Sequence, residues 1–146
     1  LDPRALAASP QRGSAAVGSA VAKVVAALQT GASVIACSSA DVVSLQTSGP
    51  RVGDQLARAC GAVLADVLER VALSRVGMAG GDTSSLGVRA LGLSALSYAF
   101  SIGSGCGVCR VHAPGSPVDG LEILLKGGQM GALDVFANLR AGRQAT

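Results

Sequence analysis

Two short glycine-containing segments carry the residue types that bind phosphate. The first, Gly80-Gly81-Asp82-Thr83, follows the apolar run 75–79 and precedes a helical pattern that begins near Leu86. Paired glycines permit a sharp turn and place no side chain between the backbone and a ligand. Asp82, Thr83 and Ser84 are residue types that cap helix N-termini, and a helix N-terminus attracts anions. The pattern predicts a strand, a phosphate-binding turn and a helix.

The second segment, Lys126-Gly127-Gly128-Gln129, repeats the arrangement. It follows the apolar run 121–125, and a helical pattern through Leu133, Phe136 and Leu139 comes after it. Neither segment has the spacing of a Walker A loop or of a complete dinucleotide fingerprint. Each one alone is also an ordinary way to end a strand and begin a helix. A structural role therefore stays open, with Asp82 only capping a helix and Lys126 only ending a strand.

Helical and strand patterns alternate along the chain. Apolar residues recur at helical spacing between Val17 and Leu28, and again between Leu56 and Val71. Strands are predicted at 32–38, 75–79, 93–100 and 121–125, with an edge strand near 108–112 in an otherwise irregular stretch. This alternation predicts an α/β fold in three layers, a mostly parallel sheet with helices on both faces. Parallel strands end at one edge, so both glycine turns and the Ser38-Ser39 turn are expected there.

Length and composition limit the remaining function classes. The chain has 146 residues, enough for one domain, and its net charge is +3. The arginines are scattered and only three residues are aromatic, so nucleic-acid binding is not expected. The apolar stretch 15–28 is interrupted and too short to span a membrane, and no signal peptide precedes it. We expect a cytoplasmic protein, and a first residue other than Met suggests a fragment of a longer one.

The cysteines offer a different kind of site. Cys106 and Cys109 have the spacing of metal ligands, and His112 follows three residues later. A single pair of this type without further ligands is weak evidence, so a zinc or redox module is an alternative and no metal site is predicted. Cys37 and Cys60 stand alone in apolar patterns and are expected to be free, buried thiols.

Several segments together resemble a known family. Residues 76–84, 120–131 and 134–136 resemble, in order, the C-terminal nucleotide-binding domain of the four-carbon acid sugar kinases. These enzymes phosphorylate D-threonate, D-erythronate or 3-oxo-tetronate with ATP. The segment 102–110 is also similar, although Ser104 and Gly107 stand where relatives usually have prolines. The resemblance implies that residues 1–146 are a nucleotide-binding domain whose N-terminal acid-sugar domain is absent.

The same resemblance implies a site and its ligands. Two walls of an ATP site are implied, formed by Gly80, Gly81, Asp82 and Thr83 and by Lys126, Gly127, Gly128 and Gln129. Asp82 is expected to hold Mg²⁺, while the catalytic base and the acid sugar belong to the missing domain. The fragment alone is therefore expected to be inactive, and it is a candidate homodimer. The alternative is a non-catalytic domain that binds another anion or a regulatory nucleotide.

Overall fold

The computed structural model describes residues 1–38 and 50–142, which fold into helices and strands around one sheet. The helices are α1 (Pro3–Ala8), α2 (Ala15–Gln29), α3 (Pro50–Leu68), α4 (Gly81–Arg89) and α5 (Val135–Ala141). The strands are β1 (Arg75–Ala79), β2 (Ala95–Ser101), β3 (Gly107–His112) and β4 (Glu122–Lys126). The predictions of helix α2 and of strand β1 are confirmed, with small shifts at the ends of the helix. A strand also forms near 108–112 as predicted, but β3 lies inside the sheet, between β4 and β2, rather than at an edge.

The sheet is mixed rather than mostly parallel. Its strand order is β1-β4-β3-β2, and only the β1–β4 pair is parallel. The pairs β4–β3 and β3–β2 are antiparallel. The reason lies in the short connection 102–106, because a parallel pair needs a crossover of a dozen or more residues whereas an antiparallel hairpin does not. The α/β class is confirmed, and the correction is that only one of the three neighbouring pairs of described strands is parallel.

Helices cover both faces of the sheet, as predicted. Val76 and Ile123 belong to a core under α3 and α4, whereas Leu124 and Val108 belong to a second core under α5. Leu139 of α5 lies so close to Gly77 that a side-chain Cβ there would come within 2.6 Å of it. The buried strand β4 thus separates two cores and carries apolar side chains toward each.

An outer helical layer packs on α3. Leu6 of α1 and Val17 and Val21 of α2 form a third core with the small residues of α3 that face them. Helix α2 begins where Ser14 caps it, since the Ser14 hydroxyl accepts a hydrogen bond from the Val17 amide at 3.3 Å. Within the described parts of the chain, no helix has both the length and the apolar character that a membrane crossing requires.

The predicted strand at 32–38 is wrong. No regular element forms there, and the side chain of Ile35 is 74% exposed. A short apolar run forms a buried strand only if it pairs with another strand of the sheet. This run pairs with none of the described strands. Ser38 is described as part of a bend, and Ser39, the other half of the predicted turn, lies outside the described residues.

Candidate functional site

The two glycine turns lie side by side at one edge of the sheet. They follow the C-terminal ends of β1 and β4, which are adjacent parallel strands with Ala79 opposite Lys126. The amide of Gly80 donates a 3.0 Å hydrogen bond to the carbonyl of Lys126, which joins the two turns directly. The topology therefore assembles one composite loop from segments that are distant in sequence, at the edge where ligands of α/β sheets bind.

Helix α4 starts at the first turn itself, earlier than the pattern near Leu86 predicts. Gly80 is the N-cap residue with φ of 119°, a conformation that favours glycine, and no side chain caps the helix. The predicted capping role of Asp82, Thr83 or Ser84 is therefore wrong. The first amides of a helix have no intrahelical acceptors, so those of Gly81, Asp82 and Thr83 are available to an anion. The side chain of Asp82 is exposed in this first turn.

Lys126 is a buried lysine at the end of β4. Only 6% of its surface is exposed. Its ammonium donates to the carbonyl oxygens of Gly127 at 2.8 Å and Gly128 at 3.2 Å, both in its own turn. No acidic side chain of the described residues forms an ion pair with it. The second turn therefore holds a positive charge. Carbonyl dipoles solvate this charge, and no carboxylate of the described residues neutralises it.

The backbone conformation requires glycine at some positions of the two turns and not at others. Gly80 needs its positive φ, and a Cβ there would lie 3.1 Å from the hydroxyl of Thr83. A Cβ at Gly81 or Gly128 would meet nothing within 4 Å, and neither residue has a positive φ. Folding gives no reason for glycine at those two positions. Open space beside backbone amides is, however, what a phosphate group needs.

Ser84 has a structural role that its sequence position, as one of three capping candidates, does not reveal. Its side chain is buried, and its hydroxyl lies 3.1 Å from the carbonyl oxygen of Met78 and 3.2 Å from that of Lys126. The hydroxyl thus touches both strands that deliver the turns. The only sequence signal was its place three residues after Gly81, on the side of the first helical turn that faces back toward the sheet.

Cys106 and Cys109 do not form a common site with His112. Cys106 is buried in the core under α5, whereas Cys109 packs against the core on the opposite face of the sheet. The His112 ring lies 2.8 Å from the Ser97 hydroxyl. Among the residues that the structure describes, no group of three or more metal-binding side chains converges. The zinc or redox alternative has no geometry to support it here.

Cys60 in α3 is a separate thiol that stays close to Ser38. Burial raises the pKa of the Cys60 thiol, and a 3.7 Å hydrogen bond to the Ser38 hydroxyl opposes this effect. A raised pKa keeps the thiol neutral and unreactive near neutral pH. Cys60, Cys106 and Cys109 are free thiols, which for Cys60 agrees with the expectation. The expected burial of Cys37 is wrong, because its side chain is exposed.

A shallow depression of about 350 Å³ lies at the other end of β1 and β4. Its lining includes Ser74, Pro117 and Asp119, together with the paired side chains Arg75 and Glu122. Arg75 also donates to the Leu139 carbonyl at 3.0 Å, so its charge is already used to hold α5. The depression is therefore distinct from the glycine turns and offers weaker chemistry for an anion.

The chain matches a known protein family and is similar to a kinase. Residues 1–136 match the nucleotide-binding C-terminal domain family. A 3-oxo-isoapionate kinase of Paraburkholderia graminis is 42% identical over 93 residues, and the match covers 61% of this chain and 20% of that protein. The chain therefore spans about a fifth of the length of this relative.

Solved structures share the fold. A protein of Salmonella typhimurium LT2 matches 99% of this chain and 34% of its own, with a TM-score of 0.71 and 16% identity. A protein of Haemophilus influenzae matches 97% of this chain and 33% of its own, with a TM-score of 0.70 and 18% identity. A citrate-bound, domain-swapped dimer from Bordetella bronchiseptica matches 88% and 38%, with a TM-score of 0.57 and 23% identity.

Proposed function

The chain belongs to the nucleotide-binding C-terminal domain family, as the resemblance to the four-carbon acid sugar kinases predicts, and from this premise we propose that it is the ATP-binding part of a sugar-acid kinase. The observation that carries the proposal is the pairing of the two glycine turns through the Gly80 amide and the Lys126 carbonyl. This pairing joins the turn that begins α4 to the turn that carries a buried ammonium. Both features favour a polyanion.

In this proposal the triphosphate lies across both turns. The amides of Gly81, Asp82 and Thr83 donate to phosphate oxygens from one side. From the other side, Gly128 and Gln129 supply further amides and Lys126 supplies the point charge, once its ammonium turns from the carbonyls of its own loop. Because Gly81 and Gly128 have no side chain, the phosphates approach the backbone closely.

The residues also fit a magnesium ion bound with the nucleotide. Mg²⁺ is usually held by one or two carboxylates together with phosphate oxygens and water, and the exposed Asp82 supplies a carboxylate at the first turn of α4. ATP supplies the phosphoryl group, and this chain supplies positioning and charge neutralisation, on which phosphoryl transfer chiefly depends. The acceptor is a sugar acid held by a second domain, as the kinase relative suggests.

The test is a calorimetric titration of Mg·ATP into the chain and into a Gly81→Asp variant. Gly81 is the first residue of α4, where an acidic side chain is favourable to the helix and meets no neighbouring atom. The added carboxylate should repel the triphosphate, so we expect unchanged or slightly higher thermal stability and at least a tenfold loss of affinity. Stability and binding should therefore move in opposite directions.

Gly53→Asp is the matched control. Gly53 lies near the start of α3 and is exposed, a Cβ added there would meet no atom within 4 Å, and the residue is far in sequence from both turns. The substitution adds the same charge and should leave the affinity within about twofold of the wild type. Equal affinity of the Gly81→Asp variant and the wild type for Mg·ATP would remove the proposed phosphate site.

The proposed function also concerns the part of the enzyme that would hold the sugar acid. We propose a cytoplasmic kinase in which a sugar-acid domain supplies the catalytic base, so that this chain alone is inactive and activity requires that domain to be joined to it. Coupled assays of ADP release with and without the second domain, using threonate, erythronate and 3-oxo-isoapionate as acceptors, check this. Sedimentation of the joined protein tests a homodimer. Nucleotide binding without transfer by the joined protein favours the non-catalytic alternative.

A further inference from the structure

The side chain of Ser84 lies under the composite loop rather than in it. It is 7% exposed, on the first turn of α4, and its hydroxyl is within hydrogen-bond distance of the Met78 and Lys126 carbonyl oxygens. Met78 belongs to β1 and Lys126 ends β4. The Ser84 amide also donates to the Gly80 carbonyl at 2.8 Å. One residue therefore contacts β1, β4 and the first turn.

The Lys126 carbonyl is the point where these contacts meet. It accepts from the Gly80 amide at 3.0 Å and lies 3.2 Å from the Ser84 hydroxyl. Its position fixes the peptide that leads into Gly127 and thereby the start of the second turn. A ligand that must touch both turns is sensitive to their separation, and small displacements of binding groups weaken binding to charged ligands.

We infer that Ser84 is a positioning residue that holds the two turns at the separation which a bound triphosphate requires. This inference rests on the proposed function, because it gives Ser84 its effect through the phosphate site. Ser84 itself does not touch the nucleotide. Its hydroxyl acts through the Lys126 carbonyl, and after its loss the hydrogen bond from the Gly80 amide to that carbonyl still joins the turns.

The experiment uses Ser84→Ala with Ser85→Ala as the matched control. Ser85 is the next residue of α4 and is exposed. We expect Ser84→Ala to weaken Mg·ATP binding by about fivefold to tenfold, the effect of one buried hydrogen bond, and Ser85→Ala to change it by less than about twofold. Titrations are made well below the unfolding midpoint of each variant. Ser84→Cys keeps the side-chain shape with a somewhat larger and weaker donor and should behave like Ser84→Ala.

Hydrogen exchange separates positioning from a general loss of stability. A merely structural role would speed the exchange of all core amides by one common factor. If Ser84 holds the turns, exchange of the Gly80 amide should rise severalfold more than that of Ile123 in β4. Wild-type affinity in the folded Ser84→Ala variant, or equal acceleration at both amides, would overturn the inference.

The same data distinguish this inference from the proposed function. Failure of the wild-type chain to bind Mg·ATP contradicts the proposed function, and Ser84 then has no triphosphate site to position. The Gly80 exchange then still decides whether Ser84 couples the two turns, because that measurement requires no nucleotide. Wild-type binding combined with an unaffected Ser84→Ala variant contradicts only the role of Ser84.

Discussion

The burial of Lys126 is difficult to explain by the stability of the fold alone. A lysine buried to this degree loses its hydration, and carbonyl oxygens without a carboxylate compensate for only part of the loss. Natural binding sites often keep such an unfavourable arrangement because the ligand completes it. In the proposed function, a phosphate group of the ligand supplies the negative charge that this side chain lacks.

Replacing this lysine by methionine should separate folding from binding. We predict that Lys126→Met leaves the free energy of unfolding unchanged or raises it, because a side chain of similar size replaces a buried charge. The affinity for Mg·ATP should fall by about tenfold to a hundredfold, since a charged hydrogen bond to phosphate is lost. Urea unfolding and calorimetry measure the two quantities.

Lys23→Met serves as the control for this prediction. Lys23 is exposed on α2, so the variant removes one positive charge from the protein without touching the turns. Its affinity for Mg·ATP should stay close to that of the wild type. A marked loss of stability in Lys126→Met, with affinity retained, would show that the lysine serves the fold instead.

At the residue scale, the sequence revealed the turns but not their internal contacts. Paired glycines after apolar runs were sufficient to predict the two turns and their shared edge. The sequence could not show that Gly80 itself caps α4 or that Ser84 reaches two strands, because both depend on how β4 lies beside β1. Contacts across long sequence separations leave no local pattern.

At the element scale, helices α3 and α4 approach each other through glycine. A Cβ at Gly61 would lie 2.8 Å from the Cα of Gly87, which is backbone and cannot easily move aside. The small residues allow α4 to pack closely on α3, and α4 in turn presents its N-terminus to the turns. The geometry of the site therefore depends on a helix contact on the buried side of α4.

This contact gives a prediction about stability. Gly61→Ala should destabilise the fold by about 1–3 kcal/mol, because the added methyl group overpacks the contact, even though alanine is the better helix former. Gly18→Ala, at an exposed position of α2 with open space, should instead stabilise by up to about 1 kcal/mol. Thermal unfolding of the two variants distinguishes these outcomes. Stabilisation by both substitutions would contradict the close contact.

Some helices and strands follow from the sequence pattern alone, and others depend on contacts that the pattern does not contain. Periodicity located α2 and the apolar strands β1 and β4 because each buries a continuous face. It misjudged residues 32–38, where an apolar run meets no neighbour among the described strands, and it placed β3 at the edge of a mostly parallel sheet rather than between β4 and β2. The length of the connection 102–106 carried the information about direction, since so short a segment favours a hairpin.

At the scale of the whole molecule, the three cores are arranged in layers around β4 and α3. Ile123 and Leu124 of β4 are fully buried on opposite faces of the sheet, while α2 packs on α1 and α3 at the outside. Elements at the periphery usually open more readily than the centre of a fold. The layers should therefore differ in local stability.

Native-state hydrogen exchange tests this order. We predict that the amides of β4 exchange slowest, near the free energy of global unfolding, and that those in the last turns of α2 exchange faster. The reason is that β4 is paired on both sides, whereas α2 has one packed face. Protection of α2 equal to that of β4 would indicate that the whole chain opens as one cooperative unit.

The place of β4 in the sheet also bears on how the protein matures. It is the last of the described strands to be synthesised, yet it inserts between β1 and β3. On the ribosome, the helices and the hairpin of β2 and β3 can form before β4 leaves the exit tunnel, whereas β1 must wait for its neighbour. In the proposed function, nucleotide can therefore stabilise the nascent chain only after β4 has inserted between β1 and β3.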